Sequence, residues 1–373
     1  FDGDEWHDRM ALLVNDGVVE GLMAADSPSD AMRVPLDGGM LVPGFIDLQV
    51  NGGGGILLND APTLDGIRTI CTAARPFGTT ACLPTLITDT PAITDRAVEA
   101  GLAAAHAGLP GFLGLHLEGP HLSIARKGAH DPALIRPFSD NDLQRLIHAR
   151  AGMPAVLTTV APETVSPEEI AAIAGARVVV SIGHSDASYA LAAAAAAAGA
   201  TMVTHLFNAQ SQMGHREPGV VGAALDIGSL YAGIIADGIH VHPAAIGNAV
   251  RGKRGPGRVF LVTDAMSVTG TTMETFTLNG RTVYRRDGAL RLADGTLAGA
   301  DLTMIGAIAF MHRTIGVELS EALRMASLYP AEAMGIDRSY GHLHRGARAD
   351  MVHLSDGLEV RRTFIAGEEV FAA

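Results

Sequence analysis

The sequence predicts a (β/α)8 barrel of the TIM type with a small β-sandwich formed by the N- and C-terminal strands. Eight short apolar runs suited to buried parallel strands recur between helix-like stretches, which is the signature of βα units. Both chain ends break that alternation and read as hairpins instead. The length, 373 residues, exceeds one ordinary core and falls short of three. The expected division is therefore 1–41 with 342–373 as the small β-domain, and 42–341 as the barrel.

The first hairpin is read from Ala11–Val14 and Gly17–Glu20 around an Asn15-Asp16-Gly17 turn. The barrel strands are expected at Val42–Leu48, Thr80–Thr85, Phe112–Leu117, Ala155–Val160, Val178–Ile182, Met202–His205, Tyr231–Ala236 and Val259–Thr263. Between them, Ser166-Pro167-Glu168-Glu169 combines a capping residue, a proline at the first helical position and acids in the first turn. Ser185-Asp186 precedes an alanine-rich helix, and Pro243 opens another. The run Ala187–Val203 is mostly alanine, too weakly hydrophobic to be held in a bilayer. Val268–Leu297, rich in Thr and Gly, reads as a hairpin excursion after the eighth strand. Ala349–Leu354 and Val360–Ala366 flank Asp356-Gly357 and are expected to pair with the N-terminal strands, because a closed barrel leaves them no edge.

A composition of 48% hydrophobic and 18% charged residues belongs to a compact globular chain and excludes disorder, collagen and coiled coil. The net charge of −13 repels nucleic acid and anionic membrane, so any small anionic ligand has to be held by local cations. Cys71 and Cys82 are the only cysteines and neither lies in a CxxC, which points to a reducing cytoplasm. No secretory signal is visible, and a start at Phe1 rather than Met suggests that the true N-terminus is missing.

Active sites of such barrels lie at the C-terminal ends of the strands. Polar residues at those positions are Gln49 and Asn51 after the first strand, Glu118 after the third, His184 after the fifth and His205 after the sixth. His240 lies just beyond the seventh, and Asp264 follows the eighth. One carboxylate and two imidazoles, Glu118, His184 and His205, make a three-ligand set with an open position, as catalytic zinc requires. The bland alternative, a satisfied core residue at each place, weakens as independent strand ends supply more of them. Asp264 stands where a carboxylate can take a proton from a water and deliver it to a leaving amine, its alternative being a helix cap. Arg216 and His240 are local cations, and a guanidinium matches phosphate geometry; for Arg216 the alternative is an ion pair with Glu217. Gly52–Gly55 is not a phosphate loop, since no GK[ST] follows. His106, His148 and His312 on helix-like segments, and His7, His342, His344 and His353 in the terminal regions, receive no role.

Taken together, Val42-Pro-Gly-Phe-Ile-Asp-Leu-Gln-Val-Asn-Gly-Gly53, His116-Leu-Glu-Gly-Pro120, Lys127-Gly-Ala-His130, Gly183-His-Ser185, Thr204-His-Leu-Phe-Asn-Ala209, Arg216-Glu-Pro-Gly219, Ala236-Asp-Gly-Ile-His240 and Val262-Thr-Asp-Ala265 resemble the N-acetylglucosamine-6-phosphate deacetylases of the amidohydrolase superfamily. The match runs in order along nearly the whole chain. It implies metal-dependent hydrolysis of the acetamide of N-acetylglucosamine 6-phosphate to glucosamine 6-phosphate and acetate, in amino-sugar catabolism, by a homodimer. By position it implies Glu118, His184 and His205 as ligands of a divalent metal, zinc first, with iron, cobalt and manganese also compatible. Asp264 would be the acid/base, and His130 would polarise or orient the acetamide. Asn208 and Ala209 would contact the sugar, and Leu297, Ala298 and Gly299 would line the N-acetyl pocket. His240 and Arg216 would hold the phosphate, the arginine reaching in from the neighbouring subunit.

The chain departs from the broader superfamily at Gln49 and Asn51, where many members carry His-x-His and bind a second metal. An amide is a much poorer ligand than imidazole, so these are expected to be vestigial positions and the site to hold one metal. The only lysines, Lys127 and Lys253, are not at strand ends, which argues against a lysine-bridged metal pair. The runner-up functions are deacetylation of the galactosamine epimer and, in another class, a catalytically silent sugar-phosphate-binding barrel. Asp264 opposite a full ligand set argues against the silent barrel.

Overall fold

The computed structural model describes residues 1–373. Eight parallel strands, Phe45–Val50, Thr79–Ile87, Gly114–Glu118, Ala155–Val160, Val179–Ile182, Met202–Val203, Tyr231–Ile234 and Val259–Leu261, are hydrogen-bonded in chain order. The first and eighth meet through a parallel bridge, Val50 to Ala265, with Asp264 N–H on the Gln49 carbonyl at 3.0 Å and Asn51 N–H on the Ala265 carbonyl at 2.8 Å. Below that bridge the buried Asp47 carboxylate spans the seam, accepting the Thr263 N–H at 3.2 Å and the Thr263 hydroxyl. The seam thus closes next to the strand ends, where polar side chains are expected to gather.

Strand periodicity divides the side chains. On the third strand, Leu115 and Leu117 join the apolar layer under the helices. His116 and Glu118 point the other way, into the barrel, where Thr85, His116, Thr159, Thr204 and Ser181 form a continuous buried chain of hydrogen bonds with links of 3.3, 2.7, 2.7 and 2.6 Å. This polar layer is fully paired, as burial demands, and it forms the floor of the site.

The run expected at Val42–Leu48 is two strands. Met40–Pro43 pairs antiparallel with Met351–Leu354 in the terminal sheet, and the chain enters the barrel only at Phe45. The boundary expected between 41 and 42 therefore falls inside a strand. Gly44 permits the crossing: a Cβ there would lie 2.1 Å from Thr80 Oγ1. The terminal sheet orders Glu368–Ala372, Val360–Ile365, Met351–Leu354 and Met40–Pro43. The hairpin Met10–Asn15/Val18–Ala24 packs on it through Val19, Leu343, Ala349, Met351 and Phe364, completing a small sandwich.

The excursion after the eighth strand is larger than a hairpin. Thr275–Leu278, Arg281–Arg286, Ala289–Leu292 and Leu297–Ala300 form a four-stranded antiparallel meander. Its tight turns are Asn279-Gly280 and Asp287-Gly288, all four residues having positive φ. Phe276, Leu278, Val283, Leu290, Leu292 and Ala298 make one apolar face against Leu57, Ile87, Met266 and Val268. The alanine-rich helix spans Tyr189–Ala198, and its cap is Ser188 rather than Ser185-Asp186; the Ser185 hydroxyl is engaged by Glu163 at 2.7 Å. Ser166 and Glu169 form a reciprocal capping box around Pro167. No helix is long and apolar enough to cross a membrane.

Candidate active site

Glu118 ends the third strand, and His184 and His205 each follow the fifth and sixth by two residues. Their ligand atoms converge: His184 Nε2 and His205 Nε2 are 3.0 Å apart, and Glu118 Oε1 lies 3.3 and 3.1 Å from them. All three residues are buried, and these atoms lie within 4.8 Å of one another. The backbone is bent to achieve this, with φ of +47° at His184 and +28° at His205, a region that costs a non-glycine residue about 1–3 kcal/mol. Gly183 makes room for the bend, since a Cβ there would meet Thr159 Cγ2 at 2.7 Å and Thr204 Cβ at 2.9 Å.

The protonation pattern suits a cation. His184 Nδ1 donates to the Arg126 carbonyl at 2.9 Å, which leaves the Nε2 lone pair facing inward. Burial alone would raise the Glu118 carboxyl, yet the adjacent imidazoles of His184 and His205 hold it well below the ordinary range. Two imidazole Nε2 atoms and a carboxylate oxygen lying 3.0–3.3 Å from one another fit a single divalent ion.

Opposite this triangle stands Asp264, three residues beyond the eighth strand and also left-handed, with φ of +52°. Its Oδ1 accepts the side-chain amides of Asn51 at 2.7 Å and Gln49 at 3.1 Å, and Gln49 Nε2 also donates to Glu118 Oε1 at 3.2 Å. Gln49 thus bridges the two carboxylates as a hydrogen-bond donor. Burial, and then the neighbouring Glu118 charge, push the Asp264 carboxyl up to about 6. His130 completes the group: its Nε2 is 3.9 Å from Glu118 Oε2, its ring centroid is 4.4 Å from that of His184, and burial lowers its imidazole to about 3.

Around this cluster the other expected residues are spread. Asn208 and Ala209 lie on the turn after His205, where Asn208 Nδ2 donates to the His205 carbonyl at 3.3 Å and Ala209 has φ of +50°. His240 Nδ1 bonds Asp237 at 2.6 Å, which fixes the ring. Leu297, Ala298 and Gly299 lie in the last strand of the meander, Leu297–Ala300, which abuts the turn carrying Asp264, with Ala300 N–H on the Asp264 carbonyl at 2.9 Å. Gly299 is required there, since its φ is +73° and a Cβ would strike Met266 Cγ at 2.3 Å. Arg216 is exposed, and no hydrogen bond or ion pair joins it to the cluster. The alternative partner Glu217 instead accepts the N–H of Tyr189 at 2.7 Å and of Gly219 at 2.9 Å.

Two participants escape the sequence reading. Thr88, directly after the second strand, has its hydroxyl 2.8 Å from His130 Nδ1. His116 anchors the polar floor and is lowered to about 4, chiefly by burial. Thr88 stands at a strand end as Glu118 does, but a threonine there reads as an ordinary strand former.

The amidohydrolase family model matches residues 40–370. The chain is 40% identical over 369 residues to N-acetylgalactosamine-6-phosphate deacetylase of Shewanella sp. (strain ANA-3), covering 98% of this chain and 93% of that relative. It is 35% identical over 363 residues to N-acetylglucosamine-6-phosphate deacetylase of Haemophilus influenzae, covering 96% and 94%. Among solved structures, N-acetylglucosamine-6-phosphate deacetylase from Pasteurella multocida matches with a TM-score of 0.95 at 33% identity, over 100% of this chain and 97% of that one.

Proposed function

The chain belongs to the amidohydrolase family, and from that premise we propose that it hydrolyses the acetamide of N-acetylglucosamine 6-phosphate to glucosamine 6-phosphate and acetate, a step of amino-sugar catabolism. The observation that carries this reading is the convergence of Glu118, His184 and His205 opposite Asp264, in a chain whose near full-length relatives are deacetylases of amino-sugar phosphates.

Glu118, His184 and His205 would hold one divalent ion, zinc being favoured by the two-nitrogen, one-oxygen donor set. Such an ion supplies Lewis acidity toward the acetyl carbonyl and acidifies the attacking water. A single ion per chain is favoured because Gln49 and Asn51 turn amide N–H groups, which cannot ligate a metal, toward the Glu118 and Asp264 carboxylates. Asp264 takes a proton from the attacking water and passes it to the sugar nitrogen as the carbon–nitrogen bond breaks. His130, kept neutral by burial, polarises or orients the acetyl oxygen. Leu297, Ala298 and Gly299 line the acetyl end, and Asn208 and Ala209 contact the sugar.

The phosphate falls to His240, fixed by Asp237, and to Arg216. Because Arg216 is exposed and unpaired within its own chain, it serves best by crossing into the site of a second copy in a homodimer. The free thiols of Cys71 and Cys82 are in keeping with a cytoplasmic enzyme.

The Shewanella relative supports a second reading, in which the galactosamine epimer is the substrate. Acetate release from both acetamido sugar 6-phosphates, measured beside the metal content of the purified chain, tests both. The expected result is about one metal per chain with faster release from the glucosamine form. Faster release from the galactosamine form selects the second reading, and no release from either rejects both.

A further inference from the structure

We infer that Thr88 is a positioning residue for His130: with its main-chain N–H and its hydroxyl it holds the imidazole in the neutral tautomer whose proton sits on Nε2, facing Glu118. Thr88 is 1% exposed and immediately follows the second barrel strand. Its N–H points at His130 Nδ1 at 3.3 Å, and its hydroxyl lies 2.8 Å from the same nitrogen. A main-chain N–H can only donate, and a buried one has to be paired, so Nδ1 presents its lone pair. The hydroxyl can donate or accept. With Nδ1 already an acceptor it donates as well, its other acceptor, the Glu118 carbonyl, being more distant at 3.5 Å.

The one remaining ring proton is therefore on Nε2, 3.9 Å from Glu118 Oε2. The main chain beside His130 is tied from the other side, where the Arg281 guanidinium of the meander donates to the Ala129 carbonyl. That contact fixes where the ring starts and leaves its protonated edge for Thr88 to set. A ring with Nε2–H can donate to a carbonyl oxygen but cannot accept a proton at that atom. The tautomer thus separates the roles of His130 and Asp264, and this consequence rests on the acetamide reading above, whereas the tautomer does not.

Ring-¹⁵N-histidine NMR of the zinc-reconstituted protein tests the inference, with the His130 signals identified by their loss in His130→Asn. Protonation at Nε2 is expected in the parent chain. Thr88→Val keeps the shape but leaves Nδ1 only the 3.3 Å main-chain N–H, the longer and weaker of its two donors; a share of the other tautomer should then appear and kcat fall about 10-fold with KM little changed, and Thr88→Ser should restore both. A His130 protonated on Nδ1 overturns the inference, and so does Thr88→Val with parental tautomer and kcat. If Thr88→Val fails to fold, the spectrum of the parent chain still decides. Nε2 protonation without acetate release from either sugar phosphate would reject the acetamide reading and leave the tautomer standing.

Discussion

Asp264 shows how a single side chain is prepared by its surroundings. Its oxygen is pinned by two neutral amides, Asn51 and Gln49, so the carboxylate is oriented without gaining a compensating positive charge. Burial and the Glu118 charge then favour the protonated form and raise it to about 6. A base must be deprotonated to accept a proton, and a raised carboxyl loses that form as pH falls. We therefore expect kcat/KM to decline as pH drops through about 6, measured as the acid limb of the rate profile. Asp264→Asn should cost about 10³-fold or more in kcat, within the range for a lost general acid/base, while metal content stays at the parental level. Near-normal turnover would remove Asp264 from the mechanism.

At the level of elements, two devices shape the site: a seam and a bend. Asp47 closes the seam between first and eighth strands, and burial, against its hydrogen bonds from Thr263 and Gln49, raises its carboxyl to about 7. With the folded value above the unfolded one, its contribution to stability is full below the ordinary carboxyl range and is lost as pH rises toward 7. Asp47→Asn should accordingly melt higher than the parent at pH 8, by about 1–2 °C for about 1 kcal/mol, with the gap narrowing toward pH 5; a constant gap would contradict this origin. The bend rests on Gly183, where a Cβ would collide with Thr159 and Thr204. Gly183→Ala should displace His184 and weaken metal retention about 10–100-fold, read by chelator titration. The places of the eight barrel strands could be read from sequence because strands buried on both faces are continuous apolar runs, and Glu118, His184, His205 and Asp264 stood out as polar residues ending such runs. The split at Gly44 could not, since Val42 and Phe45 are equally apolar on either side of it. The polar floor was equally hidden: Thr85, Thr159 and Thr204 look like ordinary strand formers until the barrel curls and brings them to His116.

At the level of the whole molecule, the acidic surface and the phosphorylated substrate are reconciled only if cations are delivered locally, and a net charge of −13 sharpens that need. His240 is half-buried beside its own chain's Asp237, to which one ring nitrogen is committed. Arg216, by contrast, lies on an exposed loop and spends its guanidinium on nothing in its own chain. If it serves a neighbour, the active site belongs to the dimer, and that has a consequence no single-chain reading shares. Take Arg216→Ala and Asp264→Asn, each defective at low substrate concentration, and let their subunits exchange. In a mixed dimer, the site built on the Arg216→Ala chain keeps its own Asp264 and receives Arg216 from its neighbour, while the other site lacks both. Random exchange makes half of the dimers mixed and restores one site in each, so about a quarter of parental kcat/KM should return. An arginine acting within its own chain leaves every site of the mixture defective, and no activity would return on exchange.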